Sequence, residues 1–120
     1  MPMRVLPIVR FTQKDLAAIK DAVGFIESHS GEKVSAEDLS DRFLVPVKKL
    51  QAGFRRLTGF TIHDYLSIIR LKQAKMLLVG DEPIKNVADQ AGFKNQSHFG
   101  QFFKRYTGLT PAEYRIKHQQ

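Results

Sequence analysis

Apolar residues along this chain recur at helical rather than strand spacing. Leu50 and Phe54 stand four apart, as do Phe99 and Phe103, which is the rhythm of a helix with one buried face. No sustained two-residue alternation and no Asn-Gly hairpin signal occurs, so the fold class expected is all-α. The pattern predicts seven helices, over Thr12 to Ser30, Ala36 to Phe43, Pro46 to Leu57, Ile62 to Val79, Pro83 to Ala91, Gln96 to Tyr106 and Pro111 to Lys117.

The punctuation agrees. Ser35 with Asp38, Thr61 with Asp64 and Thr110 with Glu113 have capping-box spacing, and Asn95 stands where a further cap is wanted. Gly31, Gly59, Gly80, Gly92 and Gly108 fall just past expected helix ends, where a left-handed residue commonly closes the last turn.

An internal repeat organises the chain. F-R-R-L-T-G-F-T-I-H-D-Y from Phe54 returns 49 residues later as F-K-R-Y-T-G-L-T-P-A-E-Y from Phe103. The repeat pairs Phe54 with Phe103, Arg56 with Arg105, Thr58 with Thr107, Gly59 with Gly108, Thr61 with Thr110 and Tyr65 with Tyr114. Leu50 aligns with Phe99 and, after a one-residue shift, Leu39 with Val87. One supersecondary unit is therefore present twice. In the second copy Ala88, Gly92 and Asn95 are spaced as a helix-turn-helix, with a small residue at the crossing, glycine in the turn and Phe93 plugging the angle. Between the copies, Ile62 to Val79 carries Leu66, Ile69 and Leu77 on one side and Tyr65, Ile68, Leu71 and Leu78 around another. A helix apolar on more than one face is buried on more than one face, so it is expected to be a rod joining both units, roughly 27 Å long at 1.5 Å per residue.

Composition narrows the function. There is no cysteine among the 120 residues, which excludes disulfides, thiolate metal sites and cysteine nucleophiles. The four histidines, His29, His63, His98 and His118, lack metal-ligand spacing, and no nucleophile and base pair can be assembled. No catalytic residue, metal or cofactor is expected. Met1 to Arg10 reads as a loose tail, broken by Pro2 and Pro7, and no apolar run approaches the ~20 residues that span a bilayer. A cytoplasmic, nucleoid-associated protein is expected.

The net charge of +7 favours a polyanionic partner, and its distribution says more. Between Arg42 and Gly80 stand eight basic residues and one acid, Asp64, while Gln90 to Ala112 holds Lys94, Lys104 and Arg105 and no acid. With Leu50 and Phe54 inward, Lys48, Gln51, Ala52 and Arg55 face outward on the third helix. With Phe99 and Phe103 inward, Gln96, Ser97, Gly100, Gln101 and Lys104 do so on the sixth. Lys or Arg to guanine, Gln to adenine and Ala to the thymine methyl are recognised major-groove pairings, so Lys48, Gln51, Ala52, Arg55, Gln96, Ser97 and Gln101 are the candidate base readers. Lys49, Arg56, Asn95, Lys104 and Arg105 flank them as candidate phosphate contacts. Arg70 either reaches the DNA backbone or braces the linker helix, and His98 either touches a phosphate or packs on Phe102. Gly53 and Gly100, mid-helix, serve either close helix packing or close approach of DNA.

From Val87 to Arg115 the run V-A-D-Q-A-G-F-K-N-Q-S-H-F-G-Q-F-F-K-R-Y-T-G-L-T-P-A-E-Y-R resembles the signature of the AraC/XylS family of bacterial regulators, and the resemblance extends over about Phe11 to His118. It implies two homeodomain-like helix-turn-helix subdomains (11–60 and 81–118) joined by a linker helix (61–80). It also implies sequence-specific binding of double-stranded promoter DNA, and usually activation through RNA polymerase. Many members carry Arg where this chain has Ala52 and Gln101, so the target sequence does not transfer. Most also carry a ligand-binding or dimerisation domain, for which this chain has no room. No small-molecule effector site is expected within it, and it is either a stand-alone regulator or a piece of a longer protein. The competing readings are a non-specific basic nucleic-acid-binding protein and a helical protein-interaction module with an acidic partner.

Overall fold

A computed structural model describes residues 10–119, and among them every regular element is helical. The helices are α1 (Gln13–Ser28), α2 (Ala36–Phe43), α3 (Val47–Thr58), α4 (Ile62–Leu78), α5 (Ile84–Gln90), α6 (Gln96–Thr107) and α7 (Pro111–His118). The tail expected over residues 1–10 lies outside the described residues except for Arg10.

Helix starts follow side-chain chemistry. Ser35, Thr61 and Thr110 each accept the backbone N–H three residues on at 3.1 Å, and Asn95 accepts that of His98 at 2.6 Å. The box closes reciprocally at Ser35 and Thr110, whereas at Thr61 only the hydroxyl side of it forms. A further box, Thr12 with Asp15, starts α1, so Thr12 is the cap rather than the first helical residue. Pro46 and Pro83 likewise stand at the N-cap positions of α3 and α5 rather than inside them, there without a side-chain cap bond.

The glycine expectation divides. Gly59, Gly92 and Gly108 take φ of 82°, 91° and 80°, the left-handed backbone that L side chains resist. Gly31 and Gly80 do not, because α1 closes at His29 and α4 at Val79 without a left-handed residue. The turn after α2 uses Leu44 instead, at φ 56°.

The repeat survives to the level of single atoms. Phe54 and Phe103 are both fully buried. Tyr65 meets Phe54 edge-on at 5.3 Å and 78°, and Tyr114 meets Phe103 at 5.2 Å and 80°. The Thr58 hydroxyl donates to the Phe54 carbonyl at 2.8 Å and accepts from the Phe60 N–H; Thr107 does the same with Phe103, at 2.7 Å, and Leu109. Those bonds tie the last turn of α3 and of α6 to the residue two positions on and set the exit angle towards the next helix.

Two cores result. Ile19, Ala22, Ile26, Leu39, Val45, Leu50, Phe54, Ile62 and Leu66 form the first. Leu71, Ala74, Leu78, Val87, Ala88, Ala91, Phe93, Phe99 and Phe103 form the second. The linker helix thus divides end to end: its N-terminal half completes one core and its C-terminal half the other. That is why its apolar positions keep to no single stripe. The molecule measures 56 × 38 × 23 Å, longer than it is wide because the cores lie side by side rather than fused. At the far end Arg115 donates to the carbonyls of Leu78 and Glu82, tying α7 over the α4–α5 connection.

Candidate nucleic-acid interface

Burial of Leu50 and Phe54 on α3 rotates Lys48, Gln51 and Arg55 outward, with Ala52 half-exposed beside them. Burial of Phe99 and Phe103 on α6 does the same for Gln96, Ser97, Gln101, Lys104 and Arg105. Each outward face forms one wall of a cleft whose other wall is the N-terminus of the following helix. The second cleft, about 870 Å³, is lined by Gln96, Ser97, Gly100, Gln101, Lys104, Arg105 and Thr110. The first, about 590 Å³, is lined by Gln51, Ala52 and Arg55 with Thr61, Ile62, His63, Leu66 and the start of α2. Thr61 and Thr110 are repeat equivalents, so the clefts are two copies of one surface. Neither lining contains a carboxylate.

The remaining candidates sit differently. Lys48 is exposed on α3 beyond the cleft. Lys49 is ion-paired with Asp15 of α1 at 2.8 Å. That bond and the Thr12 N–H hold the Asp15 carboxyl down at about 2. Solvent screens an exposed pair of this kind, which leaves it weak enough for a phosphate to displace the carboxylate. Arg56 lies over the Phe11 ring at 5.9 Å. The Asn95 side chain is spent on capping α6.

Asn95 and His98 instead line a third cleft, about 290 Å³, with His63, Ser67, Arg70 and Lys94. His63 lines this cleft and the first one, so the first reading surface runs on into the third cleft along the N-terminal half of α4. Sequence reasoning left His63 and Ser67 out. The signal was available: both lie on the solvent side of α4 as soon as Ile62 and Leu66 are placed in the core. His98 stacks at 6.5 Å on Phe102 and remains exposed.

The two mid-helix glycines have opposite surroundings. A Cβ on Gly53 would lie 2.3 Å from Ile19 Cδ1 and 2.9 Å from Phe11 Cε1, so Gly53 serves packing of α3 on α1 and is buried there. A Cβ on Gly100 would meet nothing within 4 Å, and Gly100 lines the second cleft. Among the described residues no group of three or more metal-ligating side chains occurs, and no helix is long and apolar enough to cross a membrane.

The helix-turn-helix domain family matches residues 39–117. An AraC-type transcriptional regulator structure from Chromobacterium violaceum superposes with a TM-score of 0.77 at 25% identity, covering 87% of this chain and 94% of that one. This chain belongs to the AraC/XylS family. Members of that family are DNA-binding transcription regulators. The transcriptional activator RhaS of Escherichia fergusonii is 33% identical over 100 residues, covering 82% of this chain and 36% of RhaS. The DNA-binding domain of AdpA, a global transcriptional factor solved with a target DNA, is similar at TM-score 0.79 and 29% identity, covering 83% of this chain and 91% of that domain. This AraC/XylS chain spans about a third of the length of the curated relatives it matches.

Proposed function

We propose that this chain reads promoter DNA with two heads, α3 and α6 entering successive major-groove segments on one side of the duplex and turning on transcription there. The observation that carries the reading is the duplicated cleft. Two repeat-related surfaces, with no carboxylate in either lining, each set amide and basic side chains beside a helix N-terminus, whose dipole favours a phosphate. Gln51, Ala52 and Arg55, with Lys48 on the same helix, read one segment; Gln96, Ser97 and Gln101 read the other. Lys104, Arg105, Arg56 and, once released from Asp15, Lys49 bind phosphates, while Asn95 contributes by fixing the start of α6. The units 11–60 and 81–118 act as heads, with 61–80 between them, and the protein works at the bacterial nucleoid. Activation runs through contact with RNA polymerase, the mode that family membership suggests.

Selection of bound duplexes from a random pool, at low and high salt, tests this. Two half-sites about one helical turn, ~34 Å, apart are the expected outcome. Gln51→Ala and Gln101→Ala each relax preference at particular base pairs, whereas Arg56→Ala and Arg105→Ala weaken all sequences alike and flatten the salt slope by about 0.9 per phosphate lost. Enrichment of no motif, with affinity collapsing as salt rises, overturns the reading in favour of non-specific binding.

A further inference from the structure

The two heads touch through their backbones. A Cβ added to Gly92, in the turn of the second helix-turn-helix, would lie 2.7 Å from the Ser30 carbonyl oxygen and 3.2 Å from Gly31 Cα, both in the loop after α1. One on Gly31 would reach the Gln90 carbonyl at 3.4 Å. Glycine at 92 is therefore required twice, for its φ of 91° and for the space.

Arg70 of α4 lies across this seam. Its Nε donates to the Ser30 carbonyl at 2.7 Å and its terminal nitrogen to the Glu32 carbonyl at 2.9 Å, and Nε stands 2.8 Å from where a Gly92 Cβ would be. A guanidinium is a planar fork with fixed donor directions, so two carbonyls held by it are held at a set angle. Half-burial depresses its pKa, yet the group stays charged.

Mechanically, two bodies joined by one rod can twist about that rod. A second attachment off the rod's axis removes the twist. Here α4 is the rod, and the contact of Ser30 and Gly31 with Gly92 is the second attachment, the loop that makes it being tied to α4 beside Gly92 by Arg70.

From this we infer that Arg70 is a positioning residue that sets the helical phase of the two half-sites while touching no base. Adding one base pair between half-sites turns one against the other by roughly 35°. A locked pair of heads cannot follow that turn; an unlocked pair can. The DNA part of this inference rests on the two-headed reading above, and the mechanical part does not.

Arg70→Met keeps the stem and removes the donors; Arg70→Lys keeps one point donor and serves as the milder variant should Arg70→Met fold poorly. Each is assayed on duplexes carrying the selected half-sites with the spacer lengthened or shortened by one and two base pairs. Wild type is expected to prefer its optimum by at least about tenfold over a one-base-pair change. Arg70→Met reduces that preference below about threefold, with affinity for a single half-site unchanged, and Arg70→Lys falls between. Residual dipolar couplings, measured without DNA, should fit one alignment tensor for both heads in wild type and two in Arg70→Met. A wild-type spacing profile retained by Arg70→Met, or one tensor retained, overturns the inference alone. Failure of the wild-type chain to select any half-site overturns the two-headed reading and takes the phase argument with it.

Discussion

Leu44 and Gly92 close the two helix-turn-helix turns with the same left-handed backbone, φ 56° and 91°, yet only one of them is glycine. The turns differ in what surrounds them. Leu44 is 84% exposed, so its side chain meets no obstacle and only the backbone is strained, whereas Gly92 is pressed against Ser30 and Arg70.

Leu44→Gly should therefore stabilise the protein. The left-handed region costs a side-chain-bearing residue about 1–2 kcal/mol, and glycine's extra chain entropy returns about 0.5–1 kcal/mol of that, leaving a net gain of about 0.5–1 kcal/mol. Gly92→Ala should lose about 2 kcal/mol or more, since it adds overlap to strain. Urea midpoints at constant m-value measure both. A lower midpoint for Leu44→Gly contradicts the assignment of strain at that turn.

Gly53→Ala and Gly100→Ala should move stability in opposite directions. Each gains about 1 kcal/mol of helix propensity. At Gly53 the added methyl runs into the fully buried Ile19, and overpacking of about 1–3 kcal/mol outweighs that gain. At Gly100 the space is open, so the variant is more stable by about 1 kcal/mol, and it binds DNA about tenfold or more weakly if a base or phosphate approaches the bare helix there. Gly100→Ala with wild-type DNA affinity excludes that close approach.

The pairing of Asp15 with Lys49 predicts a specific acid response. The Asp15 pKa falls from 3.8 to about 2 in the folded protein. Its contribution to stability is thus complete above the ordinary value and is lost as pH drops from 3.8 towards 2. Asp15→Asn should flatten the loss of stability through that window relative to wild type. It also removes the carboxylate that competes with phosphate for Lys49, so non-specific DNA binding should tighten while the salt slope, which counts the phosphates contacted, stays at the wild-type value. Unchanged affinity would show that Lys49 stays away from phosphate.

Much of this was legible in the sequence because the chain writes the same unit twice. Phe54 with Phe103, Thr58 with Thr107 and Tyr65 with Tyr114 share a spacing and turn out to share contacts, and the helix ends followed from Ser35, Asn95 and Thr110. What escaped was whatever depends on parts brought together across the fold. That Gly53 packs, that Lys49 has a carboxylate beside it and that Arg70 braces a loop all depend on residues some 30 or more positions away, along with the orientation of one helix against another. Local rules erred at Gly31 and Gly80 for a related reason: glycine next to a helix end signals freedom, and the tertiary path there did not use it.

The division of α4 between two cores has a consequence for how this protein can be altered or inherited. Ile62 and Leu66 belong to one core and Leu71, Ala74 and Leu78 to the other, so a cut on either side of the helix strips one head of part of its interior. The two units carry separate surfaces and share one helix as folded bodies. A chimera that exchanges one head for that of another family member is therefore best joined inside α4, between Ser67 and Arg70, where the chain passes from one interior to the other.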